Sequence, residues 1–250
     1  MRTVVPEAAV TPEIDLAGLP RARLVAMAEA AAEVMDIHRV LAKTGDNIVG
    51  AILNGQGRFY EWDHYPRGDV FDSETHSQFY YHAHAANARF PGEHGHFHTF
   101  LRPGGMPDAL APAAVPDFVP PRDPDDALSH LIAISMDGNG RPFRLFTVNR
   151  WVTGEVWYTA EDVIAMLDSF AIDHAKPSWP VNRWITAMLR LFRPQIVDLV
   201  RQRDSVVAAW QRRHPARNVF EDRQLEVTSY LDVAIDDHVA AISRALDAAG

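Results

Sequence analysis

The sequence contains QFYYHAH at residues 78–84 and, after a short loop, EHGHFHTF at residues 93–100. The two runs place five histidines at spacings of two residues: His82, His84, His94, His96 and His98. A β-strand turns successive side chains to opposite faces, so the histidines of each run would share one face of a strand. The two runs therefore predict a pair of strands with a common imidazole face.

The pairing register decides whether these strands build one site. In an antiparallel hairpin, directly opposed residues have a constant index sum, and a sum of 178 would pair His84 with His94 and His82 with His96. An even sum places all five rings on one face, whereas an odd sum divides them between the two faces. A shift of one residue would therefore separate the imidazoles.

The odd-numbered positions of the same runs are apolar or small, among them Phe79, Tyr81 and Phe97. This pattern lets one side of the sheet pack on helices while the imidazoles face a cavity. Burying an imidazole with no metal or hydrogen-bonding partner would cost roughly 1 to 3 kcal/mol. The pattern favours a functional site, with a hydrogen-bonded polar network or a surface histidine strip as alternatives.

Histidine is the commonest metal ligand in its neutral form, and two rings at positions i and i+2 of a strand can bind one ion from the same side. Three protein ligands leave positions open for water or substrate, as a catalytic metal requires, whereas four protein ligands make a structural site. The predicted ligands of a mononuclear or dinuclear site are His82, His84, His96 and His98, with His94 and Glu93 as further candidates.

Glu93 decides which metal the sequence favours. Its carboxylate would complete a His/His/carboxylate set, which suits non-haem iron. Its odd index points it away from the histidine face unless the chain is irregular there. The predicted cofactor is a divalent metal ion, with iron preferred and zinc or manganese as alternatives.

Composition limits the class of protein. The 250 residues are 47% apolar, which is enough for one sizeable core, and the net charge of −9 argues against nucleic acid or an anionic membrane as a partner. The absence of cysteine excludes thiolate ligands, iron–sulfur clusters and a cysteine nucleophile. The N-terminus carries acids and prolines, and no apolar run reaches membrane length, so a cytoplasmic protein with a small-molecule substrate is expected. Its oligomeric state stays open.

The chain around the histidine runs predicts further strands. Residues 130–136 and 142–151 flank the turn sequence DGNG, and residues 156–158 would add a fifth strand after Thr153-Gly154-Glu155. Residues 58–77, with Pro66 and Gly68, are predicted to be irregular.

Helical spacing of apolar residues predicts helices at both ends of the chain. Pro20 would open the first, and the cap pair Asn218 and Glu221 would open the last, which would run through Leu246. The predicted fold is α+β, with an antiparallel sheet of about five strands flanked by N-terminal and C-terminal helices. Residues 1–18 are predicted to be a flexible tail, and residues 19–250 a single domain.

Two features beyond the histidines bear on function. Residues 102–129 contain seven prolines and form a loop or a lid over the histidine face, since loops of this length are usually functional or disordered. Arg150 and Glu155 follow the central hairpin strand and are the candidates for substrate binding and for acid/base catalysis.

The phrases EHGHFHTFLR and NRWVTGE resemble an uncharacterised bacterial family of unknown function over residues 60–230, a resemblance that implies no activity. His94-x-His96-x-His98 resembles the core motif of the histidine-triad nucleotide hydrolases and transferases. That resemblance implies a metal-free reaction with His96 as nucleophile, but it leaves His82 and His84 without a role.

Three functions follow from these patterns. The leading hypothesis is a metal-dependent enzyme, with non-haem iron and oxidative chemistry on a small molecule favoured over hydrolysis. A metal-free nucleotidyl hydrolase or transferase that uses His96 is the second. A non-enzymatic metal-binding protein is the third, and it would fill every coordination position with protein ligands.

Overall fold

The computed structural model describes residues 14–248 of the chain. Its centre is one antiparallel sheet in which each strand pairs with the next along the sequence. The predicted α+β class and antiparallel sheet are confirmed, with six strands where about five were expected. The strands are β1 (Tyr65–Phe71), β2 (Ser77–His82), β3 (Glu93–Leu101), β4 (Ser129–Asp137), β5 (Pro142–Val148) and β6 (Val227–Asp232).

Helices precede and follow the sheet, as predicted. Within residues 14–248, none of them has the length and apolar character needed to cross a membrane. The α-helices are α1 (Arg21–Ala42), α2 (Ile48–Leu53), α3 (Arg150–Thr153), α4 (Ala160–Met166), α5 (Trp179–Leu191), α6 (Arg193–Arg213) and α7 (Ile235–Ala248).

Three local predictions are wrong, and two of them concern the edges of the sheet. The edge strand β1 occupies part of residues 58–77, because an edge strand tolerates Pro66 and Gly68, which a central strand would not. Asn218 does cap a helical turn, but it is a single 3₁₀ turn, and the other edge strand, β6, follows it before α7 begins. Residues 156–158 are not a strand.

One face of the sheet packs on the helices. Phe79, Tyr81 and Phe97 are fully buried on this face, as the odd-numbered pattern predicts. The ring of Phe97 lies 5.5 Å from that of Trp184 on α5, which is itself completely buried. The helices therefore cover the apolar face, and the even-numbered side chains of β2 and, from His96 onward, of β3 point away from them.

The structure describes the predicted tail, residues 1–18, only from Ile14 onward. Leu16 is buried in the main core, so packed chain begins before residue 19. The rest of the predicted tail, residues 1–13, lies outside the described residues.

The proline-rich segment 102–129 is anchored along much of its length. The backbone N–H of Ala113 donates to the Trp157 carbonyl at 2.8 Å, and the Asn218 side-chain amide donates to the Pro116 carbonyl at 2.8 Å. Leu110 packs against the main core. The segment therefore runs beside the residues that follow β5 and α6.

Gly95 allows β2 and β3 to approach closely at the histidines. A Cβ atom at this position would lie 2.5 Å from the carbonyl oxygen of His82 and 2.6 Å from the hydroxyl oxygen of Tyr81. We expect Gly95→Ala to lower the free energy of unfolding by about 1 to 3 kcal/mol, as overpacking of a buried site does. Urea unfolding measures this change.

Gly138→Ala is the matched control, because a Cβ atom there would meet no atom within 4 Å and the backbone φ angle is not positive. Its free energy of unfolding should change by no more than about 0.5 kcal/mol. If the two substitutions change the unfolding free energy equally, the strands adjust to a Cβ atom at position 95 without loss of stability, which contradicts the prediction.

Candidate metal centre

Three buried imidazoles from two neighbouring strands meet on the face of the sheet opposite the helices. His82 lies on β2, and His96 and His98 lie on β3. One side-chain nitrogen of each lies within 4.8 Å of the other two, so the triad could hold a metal ion. The predicted register is observed, because His82 pairs with His96 and Tyr80 pairs with His98, both with an index sum of 178.

The ring nitrogens of the triad are arranged as metal ligands would be. The Nε2 atoms of His82 and His96 face each other at 2.7 Å. The Nδ1 atom of His98 lies 2.9 Å from Nε2 of His130, whereas its own Nε2 atom is buried without a hydrogen-bond partner among residues 14–248. An unpartnered buried nitrogen beside two facing nitrogens is unfavourable unless a ligand satisfies it.

Two β-bulges decide which side chains surround the triad. The register of β3 against β4 shifts between Glu93 and Gly95 and again between Thr99 and Phe100. The first shift turns the Glu93 side chain toward His96, and the second turns His130 toward His98. Bulges commonly re-aim side chains beside active sites.

Glu93 acts on His96 from the side away from the other imidazoles. Nδ1 of His96 donates a hydrogen bond to Oε1 of Glu93 at 3.1 Å, which leaves the lone pair on Nε2. Burial acts to raise the pKa of Glu93, but the hydrogen bonds that its carboxylate accepts, that of His96 first among them, outweigh burial and lower the pKa. A carboxylate in this position orients a ligand and increases its basicity.

Burial also favours the neutral form of His82, His98 and His130. It lowers the pKa of His82 and of His98, and neighbouring imidazoles add to the effect. It lowers the pKa of His130 to about 3, with a further contribution from Arg203. Neutral rings are the form that binds metal, so His82 and His98 need no deprotonation at neutral pH.

The other two histidines of the runs lie outside the triad. His84 follows the end of β2, and its ring centroid lies 4.8 Å from that of His82 and 5.0 Å from that of His96. His94 lies at the first bulge, and its Nδ1 atom bonds the hydroxyl of Tyr81 at 2.6 Å on the helix-covered side. The expectation that all five rings share one face is therefore wrong for His94.

A cavity of about 470 Å³ adjoins the triad. His84, Glu93, His96 and His98 line it, and residues 87–91 form one wall. None of the lining residues within the described chain belongs to segment 102–129, and whether this segment acts as a lid stays a prediction.

The polar groups of Arg150 and Glu155 bind other parts of the protein. The guanidinium of Arg150 pairs with Glu221 and donates to the Glu155 carbonyl at 3.0 Å. The Glu155 carboxylate accepts a hydrogen bond from the backbone N–H of His130 at 2.7 Å. Neither residue lines the cavity within residues 14–248.

Complete burial raises the pKa of Glu155 to about 7, although the positive charge of Arg203 acts in the opposite direction. The folded protein thus binds this proton more tightly than the unfolded chain does. The stability that the tightly bound proton contributes is complete below pH 4.5, the pKa of Glu155 in the unfolded chain. This contribution is lost as the pH rises through 7. The carboxyl therefore destabilises the fold at alkaline pH.

Replacing Glu155 with glutamine should remove this dependence, because the amide oxygen can still accept the His130 hydrogen bond. Between pH 5 and pH 8, we expect the unfolding free energy of the wild type to fall by about 2 to 3 kcal/mol relative to that of the variant. Urea unfolding at both pH values measures it. A difference that stays constant with pH would mean that Glu155 has an ordinary pKa.

Sequence reasoning missed His130 and Phe146 as neighbours of the triad. Strand alternation assigned His130 to the same side as Ile132 and Ile134, which are in the core, and the bulge reverses that assignment. Phe146 on β5 lies 5.2 Å from the His96 ring, a contact across two strands that no local pattern reveals.

The sequence was compared with families, curated proteins and solved structures. No curated protein and no solved structure matches it. Residues 28–233 match the family described as a domain of unknown function, DUF6969, which confirms the resemblance to a family of unknown function. The chain belongs to this DUF6969 family.

Proposed function

We propose that this protein is a metal-dependent enzyme that binds one divalent ion through His82, His96 and His98. It acts on a small molecule in the adjoining cavity. The observation that carries the proposal is the buried Nε2 atom of His98, which has no partner within residues 14–248 and belongs to a triad that could hold a metal. A metal ion would satisfy this atom and take the place of the hydrogen bond between the other two rings.

Access to the triad favours catalysis over storage or structural binding. Two of the three ligands, His96 and His98, line a cavity large enough for a small molecule. Three protein ligands leave coordination positions for water or substrate, which a catalytic metal requires. Bound there, the metal would supply Lewis acidity or a site for dioxygen.

Iron stays our first candidate metal, followed by zinc and manganese. Imidazole nitrogens suit both iron and zinc. In this proposal Glu93 is not a metal ligand, because it accepts a hydrogen bond from His96 and orients that ligand. The cavity walls beyond the histidines are mostly apolar, which suits oxidation of a carbon framework better than hydrolysis of a polar group.

The remaining sequence-based assignments stay predictions. His84 lines the cavity and is proposed as the imidazole that contacts the substrate or completes the coordination. His94, Arg150 and Glu155 have their polar atoms directed elsewhere, so the geometry does not favour them as ligand or catalytic residues. The separation of His94 from His96 likewise does not favour a histidine-triad nucleotidyl reaction.

Elemental analysis of protein purified without a histidine tag tests metal binding. We expect about one equivalent of a divalent metal per chain, and a chelator should lower the thermal midpoint because metal binds only the folded site. Less than about 0.1 equivalent together with an unchanged midpoint in chelator would refute the proposal.

Cobalt substitution separates an enzyme from a carrier. An open coordination position predicts that azide or imidazole alters the visible spectrum of the cobalt form, since either can replace bound water. A spectrum that neither ligand changes would identify a closed site, which belongs to the carrier hypothesis.

A further inference from the structure

The cavity beside the triad is lined mainly by hydrocarbon. Around the histidines its surface is polar, but most of the remaining wall consists of apolar side chains. These are Ala88, Phe90, Pro91, Phe146, Val148, Val152 and Val227. Pockets with this composition hold apolar ligands and use their few polar groups for orientation.

Two aromatic rings link the apolar wall to the triad. Phe146 is buried, with its ring centroid 5.2 Å from that of His96 and 6.1 Å from that of His98. Phe90, on the loop 84–91, meets Phe146 edge to face at 5.4 Å. A ligand that reached the triad would therefore rest its body against aromatic surface.

The charges around the cavity disfavour an anion. Arg89 is the one arginine among the lining residues of the described chain, and none of them is a lysine. Its guanidinium donates to the carbonyl oxygens of His84 and His94 and pairs with Glu61, so its charge is already paired within the protein. The lining residues also include two acidic ones, Glu93 and Glu226.

The nearest basic residue behind the aromatic wall is committed as well. Arg144 stacks over Phe90 at 4.3 Å and bonds the carboxylate of Asp232 at 2.6 Å, and it does not line the cavity. A negatively charged ligand would therefore lose its hydration without meeting an unpaired cation at either arginine. Such burial of an unpaired charge is strongly unfavourable.

We infer that the cavity takes an uncharged, largely apolar small molecule, with an aromatic or aliphatic body against Phe146 and Phe90 and a single polar group toward the triad. This inference rests on the proposed function, because it names the substrate class of the same site. Val152 on α3, which lines the cavity and is only partly buried, limits the size of the molecule.

Two bicyclic probes of matched shape test the inference. 2-Naphthol is uncharged at pH 7 and 2-naphthoate is an anion, and both are titrated into the full chain in excess chelator, so that neither can bind through a metal. We expect 2-naphthol to bind at least about tenfold more tightly than 2-naphthoate, because the anion gains no free cation. Calorimetry measures both dissociation constants.

A cavity-filling variant locates the binding. Val152→Phe should weaken 2-naphthol binding at least about tenfold, because its ring would occupy the space of the ligand. Val40→Phe, at a valine that is 44% exposed on α1 and outside the cavity lining, should leave the binding unchanged. Metal content, measured in parallel, should be the same in both variants and in wild type.

The outcomes separate this inference from the proposed function. Equal or tighter binding of 2-naphthoate, no binding of either probe, or unaltered 2-naphthol binding in Val152→Phe would overturn the inference even if the metal is present. The expected preference and its loss in Val152→Phe, in protein that holds no metal when purified, would uphold the apolar cavity and reject the metal enzyme.

Discussion

Replacing His98 with alanine is expected to reduce the metal content from about one equivalent per chain to background, because it removes one of only three protein ligands. Metal affinity should fall by more than the 10- to 100-fold that loss of an outer-shell partner typically causes. Any metal-dependent activity should be lost with the metal. Elemental analysis after dialysis and a chelator-competition titration measure the two effects.

His94→Ala is the matched control for this experiment. It makes the same substitution on the same strand, but its ring bonds Tyr81 on the helix-covered side of the sheet. Metal content in this variant should equal that of wild type. If His98→Ala fails to fold, His82→Ala on β2 gives the same test. A folded variant of either ligand that keeps a full equivalent of metal contradicts the proposed triad.

Glu93→Gln should weaken metal binding by about 10- to 100-fold without removing the site. The amide keeps the size of the side chain and can accept from Nδ1 of His96, but it lacks the negative charge that increases the basicity of Nε2. Glu93 is almost fully buried, so water does not replace that charge. Competition with a chelator of known affinity yields the two dissociation constants.

Glu161→Gln is the control for Glu93→Gln, because it also removes one carboxylate charge. Glu161 is exposed and pairs with Arg201 on the helical side of the protein. Its substitution should leave the metal dissociation constant within about twofold, since surface charges are screened by salt. Indistinguishable constants for the two variants would mean that Glu93 does not act on the metal through His96.

Much of the candidate site follows from strand alternation. The spacing of two residues assigned His82, His96 and His98 to one face, and the index sum of 178 placed His82 opposite His96, as observed. The same alternation assigned Phe79 and Phe97 to the core. These predictions held because a regular strand fixes side-chain direction by index alone.

The sequence could not reveal the bulges. Each bulge adds one residue to one strand, so the alternation of side chains between the two faces is reversed beyond the bulge. No residue type in this sequence marks where the bulges occur. One brings Glu93 into the site and directs His94 out of it, and the other brings in His130. The sequence showed that Glu93 could reach the histidine face only if the chain was irregular there. It did not show that the chain is irregular at this point.

The edge strands show the same limit at the level of the fold. β1 and β6 carry weak local signals, and each forms because one neighbouring strand supplies its hydrogen bonds. Local propensity alone therefore assigned one to irregular chain and the other to a helix.

By itself, the sequence determined the α+β class, the imidazole face and the pairing that joins its two strands, because these depend on alternation within short segments. Only the tertiary structure decided the membership of the site, the wall formed by residues 84–91 and the apolar character of the cavity. These depend on β-bulges and on contacts such as Phe146 with His96, which join strands distant in sequence. Such contacts form through packing across the sheet, and no local pattern in the chain specifies them.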